Sequence, residues 1–260
     1  MNPIENPGHL HPLSHIIVKI TKIFTEMGFE IADGPEIETE YYNFDALNIP
    51  EYHPARDMWD TLWLKPINAR KLLRTHTSPV QVRYMETHKP PVMIVAPGKC
   101  FRKEATDATH EAQFHQVEGL VIGENISVAN LKFVLEGFLG KLFDRQINVR
   151  LRPSYFPFVE PGFEADMTCF KCGGTGLKSS SDTQQTKSGS VCSTCKGTGW
   201  IEIMGAGMVH PKVLENVKID SKKYSGFAFG AGIDRLAMLK YGIDDIRSLY
   251  QGDLRVVNQF

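Results

Sequence analysis

The chain has 260 residues, 42% of them hydrophobic, and a formal net charge of −1. This length accommodates one large domain or two small ones with a substantial buried core, and the charge balance excludes a strongly basic nucleic-acid-binding protein. No apolar run reaches the roughly 18 residues of a membrane helix, and the N-terminal residues do not resemble a signal peptide, so we expect a cytoplasmic protein without membrane contact.

The first 143 residues contain two clear helices and a hairpin. Ile16, Ile20 and Phe24 recur at helical spacing and predict a helix over about 13–27. The segments "PPVMIVAPGKCFRKEAT" and "EAQFHQVEGLVIG" predict two antiparallel strands joined by a long polar tip. A second amphipathic pattern predicts a helix over about 128–143, with Ser127 as its N-cap.

The second half of the chain alternates strands with turn-rich segments. "NVRLRPSYFPFVEPG" predicts a strand made irregular by prolines, and "WIEIMGAGMVHP" predicts another strand. Between them, "SSSDTQQTKSGS" is too polar to pack and predicts a mobile loop. "GFAFGAGIDRLAMLKYG" predicts a strand, a glycine-rich bend and a helix. The whole order predicts an α+β fold with mostly antiparallel strands around one core.

The predicted hairpin concentrates polar side chains suited to a nucleotide. Residues two apart in a strand share a face, so we expect one patch to combine an arginine for phosphate, carboxylates for an amine or metal, and an aromatic plane for a base. An ordinary solvated sheet face with ion pairs is the alternative. The residues concerned are Arg102, Glu104, His110, Phe114, Gln116 and Glu118.

Two further segments carry candidate site residues with equally plain alternatives. In "RPSYFPFVEPG", alternation places Phe156, Phe158 and Glu160 on one face, where the two rings wall an apolar pocket or simply pack in the core. In "RTHTSP", His76 and Ser78 either serve as donors in a site or satisfy their own turn.

The glycine-rich bend before the last long helix is a third candidate. Gly230 and Gly232 allow a ligand or another backbone to approach closely, and Asp234 and Arg235 follow at the start of the helix. Arginine at a helix start opposes the helix dipole, which indicates a phosphate partner for Arg235. The pattern is not the dinucleotide fingerprint, because no parallel βαβ unit surrounds it.

Four of the five cysteines form two CxxC pairs separated by 19 residues, which favours one four-thiolate zinc site. The alternatives are four reduced thiols without metal or a redox dithiol. The predicted ligands are Cys169, Cys172, Cys192 and Cys195. Cys100 has no such partner and is predicted to lie in the core.

These segments in order resemble the catalytic domain of class II aminoacyl-tRNA synthetases, and closely the bacterial phenylalanyl-tRNA synthetase α subunit. "MGFEIADGPEIE", with Pro35, resembles motif 1, "FRKEATDATHEAQFHQVEGL" resembles motif 2, and "GFAFGAGIDRLAM" resembles motif 3. The phenylalanine enzymes are further marked by "YYNFDALNIP", "HPARDMWDT", "LLRTHTSPVQVRYM", "RPSYFPFVEPG", "GAGMVHPKVL" and "YGIDDIRSLY". The resemblance implies one class II catalytic domain over 1–260, with a zinc-knuckle insertion over 169–199.

The resemblance also implies roles for individual residues. Arg102 is expected to bind the ATP α-phosphate and the substrate carboxylate and, with Arg235 across the adenine ring, to be catalytic. Glu104 and His110 are expected to hold the nucleotide, and Phe114 to stack on adenine. Positions that match the phenylalanine site are His76, Ser78, Gln116, Glu118, Phe156, Phe158, Val159 and Ala228.

The implied activity is ATP-dependent activation of L-phenylalanine to phenylalanyl-adenylate, followed by transfer to the 3′ end of tRNA(Phe). The implied cofactors are Mg²⁺ and a structural Zn²⁺, with ATP as substrate. Glu160 matches a position that holds a structural Mg²⁺ shared with the β subunit, the partner that full activity requires. The alternative function is a catalytically inactive synthetase-like binding module whose zinc knuckle is the working part.

Two departures from the family pattern carry expectations of their own. Motif 3 usually has Glu before its arginine, and Asp234 is one methylene shorter, so we expect its Mg²⁺ or ion-pair contact to be rearranged. The family's α subunit begins with a helical hairpin that contacts tRNA. This chain is expected to start just before the catalytic domain and to lack that hairpin.

Overall fold

The computed structural model of the chain describes residues 10–56, 61–177 and 189–260. Its centre is a seven-stranded sheet in the order β1-β4-β5-β9-β8-β7-β6, and a separate two-stranded sheet pairs β2 with β3. Within the described ranges only β1 and β4 run parallel. The strands are β1 (Glu30–Ile31), β2 (Ile37–Thr39), β3 (Lys71–Leu73), β4 (Val92–Phe101), β5 (Gln113–Gly123), β6 (Val149–Phe156), β7 (Val159–Thr168), β8 (Trp200–Val209) and β9 (Ser225–Gly232).

Seven α-helices in the described part of the chain surround the large sheet. They are α1 (Pro12–Glu26), α2 (Glu40–Asn43), α3 (Ser78–Thr87), α4 (Val128–Phe143), α5 (Pro211–Asn216), α6 (Ile233–Tyr241) and α7 (Leu254–Val257). Among these, none combines the length and the apolar character that crossing a lipid bilayer demands.

The two faces of the large sheet have different surroundings. On one face α1, α4 and α6 cover the core, where Phe24 stacks on Phe138 at 4.5 Å and on Phe229 at 5.6 Å between ring centroids. Side-chain alternation along β9 sends Phe229 to this helix-covered face and its neighbour Ala228 to the other. That second face is packed only in part, by α3, α5 and the segment 44–49, and the remainder forms an open cavity.

Most predicted elements are confirmed. The second helix has the predicted bounds, and the Asn130 side chain accepts a hydrogen bond from the Ser127 N–H at 2.9 Å at its start. The hairpin is antiparallel, but β4 ends at Phe101, so the prediction that Arg102 and Glu104 lie on a strand face is wrong. The mobile loop predicted for "SSSDTQQTKSGS" falls mostly on 178–188, outside the described residues.

Candidate active site

A cavity of about 790 Å³ opens on the face of the sheet that the long helices leave uncovered. Ten of the predicted site residues line it, drawn from α3, the hairpin, the β6–β7 turn, β9 and the start of α6. They are His76, Ser78, Arg102, Gln116, Glu118, Phe156, Phe158, Val159, Ala228 and Arg235. Segments far apart in sequence therefore meet at one cavity.

Glu118 is a buried carboxylate held by three donors. It accepts hydrogen bonds from the Thr77 backbone N–H at 3.0 Å, the Ser78 hydroxyl at 2.6 Å and the Gln81 amide at 2.7 Å. Burial raises the pKa of Glu118 above its ordinary value, although these donors act in the opposite direction. A carboxylate so placed in a cavity wall is suited to binding a cationic amine.

His76 lies beside this carboxylate and stays neutral. Both ring nitrogens are buried, and neither makes a hydrogen bond to any other described residue. Burial, together with the positive charge of Arg102, lowers the pKa of His76 to about 3. The cavity wall therefore contains an uncharged imidazole, and the Asn43 backbone acts weakly against the lowering of its pKa.

The depressed pKa of His76 predicts acid sensitivity. The unfolded chain binds this proton near pH 6.5 and the folded chain only near pH 3, so His76 stabilises the fold above pH 6.5 and loses that contribution as the pH falls. Urea unfolding from pH 7.5 to pH 4 should show the wild type losing stability relative to His76→Gln. The His110→Gln variant should behave in the opposite way. As the pH falls, the wild type should gain stability relative to it, because Asp107 raises the pKa of His110. Parallel pH profiles of wild type and His76→Gln would refute the prediction.

Two aromatic rings form part of the cavity wall, and the Phe158 ring centroid lies 6.4 Å from that of His76. Phe156 ends β6, Phe158 lies in the turn before β7, and their ring centroids are 5.9 Å apart. The Asn48 side-chain amide donates to the Pro157 carbonyl at 2.6 Å, and so ties this turn to the segment 44–49. The predicted common strand face of Phe156, Phe158 and Glu160 is wrong, because the turn interrupts the strand. The two rings still meet, whereas Glu160 is exposed and outside the cavity.

The predicted nucleotide residues divide into two groups. The Arg102 guanidinium lies 5.0 Å from the Phe114 ring centroid, and Arg102 and Arg235 both line the cavity. Glu104 and His110 lie in the loop between β4 and β5 and do not line it. In that loop Asp107 accepts from the backbone N–H groups of Thr109 and His110, at 2.7 and 2.8 Å.

Two residues that support the site, Gln81 and Asn48, escaped prediction. Gln81 lies one turn after Ser78 on α3, a helix that was not predicted, so the i, i+3 spacing gave no signal. Gly230, predicted as a position of close approach, would place a Cβ 3.0 Å from the Glu118 Cγ, so glycine keeps this position open beside the carboxylate. Asn48 has a left-handed backbone, with φ of 58°, but no local pattern indicates its contact with a turn 109 residues away.

The four paired cysteines come together in a geometry that fits one tetrahedral ion. Their sulfur atoms all lie within 4.8 Å of one another. The Cys169–Cys192 and Cys172–Cys195 sulfur distances are 3.9 and 3.7 Å, and four sulfurs bound to one zinc at about 2.3 Å lie about 3.8 Å apart. Burial raises the pKa of the Cys172 thiol, but the Gly176 N–H and neighbouring sulfurs outweigh it and lower the pKa to about 7. Cys100 is fully buried elsewhere, as predicted.

Glycines let the two CxxC turns approach each other closely. Gly176 and Gly199 have φ of 75° and 77°, and a Cβ on either would lie 2.2 Å from a carbonyl oxygen of the other turn. Their backbone N–H groups donate to the Cys172 and Cys195 sulfurs at 3.3 Å. The repeated Cys-x-x-Cys-x-Gly-x-Gly pattern thus builds two equivalent halves of one cluster.

Comparisons with known proteins agree with this architecture. The family described as tRNA synthetases class II core domain (F) matches residues 2–260. The phenylalanine–tRNA ligase α subunit of Streptococcus thermophilus (strain CNRZ 1066) is 54% identical over 258 residues, 98% of this chain and 69% of that protein. The Bacillus subtilis (strain 168) protein of the same name is 52% identical over 261 residues, 100% of this chain and 70% of that protein.

A solved structure supports the fold independently. The pyrrolysyl-tRNA synthetase of Desulfitobacterium hafniense superimposes with a TM-score of 0.63 at 19% identity, covering 92% of this chain and 73% of that one. At this identity the likeness concerns the fold alone. The family membership of the chain rests on the sequence relatives and the matched family. The chain therefore belongs to the class II tRNA synthetase core-domain family and, within it, to the phenylalanine–tRNA ligase α subunits.

Proposed function

We propose that this chain activates L-phenylalanine with ATP and transfers it to the 3′ end of tRNA(Phe). The observation that carries the proposal is a single cavity whose wall contains both a buried, hydrogen-bonded carboxylate and a pair of aromatic rings. An α-amino acid with an aromatic side chain has this same combination of charge and apolar surface. Family membership supports the same activity.

The proposed amino-acid site uses its carboxylate and its aromatic rings for different tasks. Glu118 and Ser78 bind the ammonium group, and neutral His76 and Gln116 supply further polar contacts without adding positive charge. Phe156 and Phe158 then hold the phenyl ring through edge and face contacts. An apolar pocket rejects an added hydroxyl by only roughly 10²-fold, so discrimination against tyrosine at this step is modest.

The chemistry needs little acid–base catalysis from the protein. The amino-acid carboxylate oxygen attacks the α-phosphorus of ATP, the bond to the β-phosphate oxygen breaks, and pyrophosphate leaves with the electron pair. Arg102 stabilises the negative charge on the α-phosphate, and Arg235 holds the nucleotide from the far side. The ribose hydroxyl of tRNA then attacks the carbonyl carbon, and AMP leaves.

The proposal extends to metals and to a partner subunit. Mg²⁺ accompanies ATP and neutralises phosphate charge, and Glu160, exposed outside the cavity, is available for a second Mg²⁺ shared with a β subunit. The four cysteines hold one Zn²⁺, a fit supported by their sulfur distances, and residues 169–199 form a zinc-knuckle insertion within the catalytic domain.

Phenylalanine-dependent ATP–pyrophosphate exchange, measured with and without the β subunit, tests the activity. We expect exchange with phenylalanine, and loss of exchange in Arg102→Ala with the fold retained. Exchange that occurs only when the β subunit is present would show that the partner is already required for formation of the adenylate. Failure of the wild type to bind either ATP or phenylalanine in both settings would favour the inactive binding module.

The contact between Asn48 and the aromatic turn predicts a selective effect on phenylalanine. Asn48→Asp keeps the side-chain shape and tolerates φ of 58°, but it turns an oxygen toward the Pro157 carbonyl. Losing this hydrogen bond should raise KM for phenylalanine roughly fivefold and leave KM for ATP unchanged. Asn216→Asp is the matched control, because Asn216 donates to the Ala46 carbonyl at 3.1 Å without touching the turn. Equal effects of both substitutions on KM for phenylalanine would contradict the prediction.

A further inference from the structure

A hydrogen-bonded cluster around a buried carboxylate lies outside the cavity lining, and we call its members, Asp234, Tyr250 and His115, the Tyr250 clamp. Asp234 is 3% exposed, and its two carboxylate oxygens accept from the Tyr250 hydroxyl at 2.5 Å and the His115 backbone N–H at 2.6 Å. The His115 Nδ1 lies 3.1 Å from the same hydroxyl. The Tyr250 hydroxyl donates its hydrogen bond to Asp234, so toward His115 it can only accept, from the Nδ1–H. This contact fixes the tautomer of His115.

The family pattern assigns Asp234 to a Mg²⁺ or ion-pair contact, and here it has a different environment. Asp234 does not line the cavity, and both of its oxygens are already engaged inside the clamp. The rearrangement expected for the shorter side chain is therefore an inward contact with the C-terminal segment.

The clamp connects the two elements that carry the nucleotide residues. His115 is adjacent in β5 to Phe114, whose ring contacts the Arg102 guanidinium, and Asp234 is adjacent in α6 to Arg235. Tyr250 follows the 3₁₀ turn Ile246–Leu249, which also holds the loop between β4 and β5. There the Ile246 N–H donates to the Ala108 carbonyl at 2.9 Å.

We propose that Tyr250 is a positioning residue for ATP: its hydroxyl holds the Asp234 carboxylate in the orientation that accepts from the His115 N–H of β5, and so fixes the spacing between Phe114 and Arg235. This inference rests on the proposed function. Arg235 is exposed on its own helix turn and has no ion pair among the described residues, so its placement depends on the helix start that the clamp holds. Displacement of a binding group by about 1 Å is enough to cost substantial activity.

Tyr250→Phe tests the inference with the smallest change, because the ring stays and only the hydroxyl is lost. In the full chain with its β subunit, we expect KM for ATP to rise about fivefold and KM for phenylalanine to change less than twofold. The dissociation constant of a non-hydrolysable ATP analogue should rise by the same factor as KM for ATP. Asp234→Asn, which turns an N–H₂ group toward one of the two donors, should give the same ATP-selective loss.

Tyr241→Phe is the matched control, because Tyr241 is a half-buried tyrosine of the same C-terminal region whose ring packs on Phe260. It should leave both KM values unchanged. Equal increases in the two KM values in Tyr250→Phe, or wild-type ATP affinity, would overturn the positioning role. A wild-type protein without phenylalanine-dependent exchange would instead contradict the proposed function, which separates the two failures.

Discussion

Glu118→Gln should abolish phenylalanine activation, and its stability relative to the wild type should rise with pH. The carboxylate is the proposed partner of the substrate ammonium group, and removing one member of a buried charge pair costs several kcal/mol. We therefore expect kcat/KM for phenylalanine in pyrophosphate exchange to fall by at least about 100-fold, with little change in the affinity for ATP.

The stability half of this prediction follows from the raised pKa of Glu118. Below pH 4.5 the side chain is protonated in both the folded and the unfolded chain, so the stability difference there does not depend on pH and reflects only the glutamine NH2 that faces one of the three donors. Above pH 4.5 the unfolded chain ionises first, so ionisation of Glu118 destabilises the wild-type fold and glutamine does not. Urea unfolding at pH 4 and pH 7.5 should show that the free energy of unfolding of Glu118→Gln, relative to that of the wild type, rises with pH.

Glu38→Gln is the matched control for a buried carboxylate with a structural task. Glu38 is 1% exposed and forms a two-point ion pair with Arg83, with both N–O distances at 2.8 Å. Its neutralisation should lower stability and leave KM for phenylalanine unchanged. A Glu118→Gln protein that loses stability as Glu38→Gln does, and still activates phenylalanine normally, would show that Glu118 is structural.

Removing the metal from the cysteine cluster should reduce both stability and phenylalanine affinity. The cluster begins directly after β7 and ends directly before β8, and these strands carry Val159 and Ala206 in the cavity wall. Metal binding and local folding are thermodynamically coupled in such sites. Chelation, or Cys172→Ser, should lower Tm by about 5 °C or more and raise KM for phenylalanine.

Metal content and a cysteine outside the cluster provide the controls. Elemental analysis should find one zinc per wild-type chain and none in Cys172→Ser. Cys100→Ala should retain the zinc, because Cys100 lies in β4 and apart from the cluster. Complete zinc removal with unchanged Tm and unchanged phenylalanine binding would refute a role for the cluster in supporting the site.

The local elements of this protein follow from its sequence because their determinants are local. The apolar spacing and the N-cap region of α4 predicted its bounds, and the antiparallel β4–β5 hairpin followed from two apolar runs around a polar tip. The repeated CxxC spacing likewise predicted the sulfur cluster, since each turn presents two thiolates on its own. Ten of the residues that line the cavity were predicted from the sequence. The order of the motifs, compared with a known family, identifies these positions even when their contacts are unknown.

The contacts that these residues make depend on the tertiary structure. Phe156 and Phe158 meet across a turn held by Asn48, and Gln81 completes the set of donors to Glu118. Strand alternation alone placed Arg102, Glu104 and Glu160 wrongly, because it takes no account of where a strand ends or turns. The motif predicted only that the contact of Asp234 would be rearranged, and its partner, Tyr250, lies 16 residues further along the chain. Such contacts join side chains from separate elements, and only the packing of α6, β5 and the C-terminal segment brings those groups within hydrogen-bonding distance.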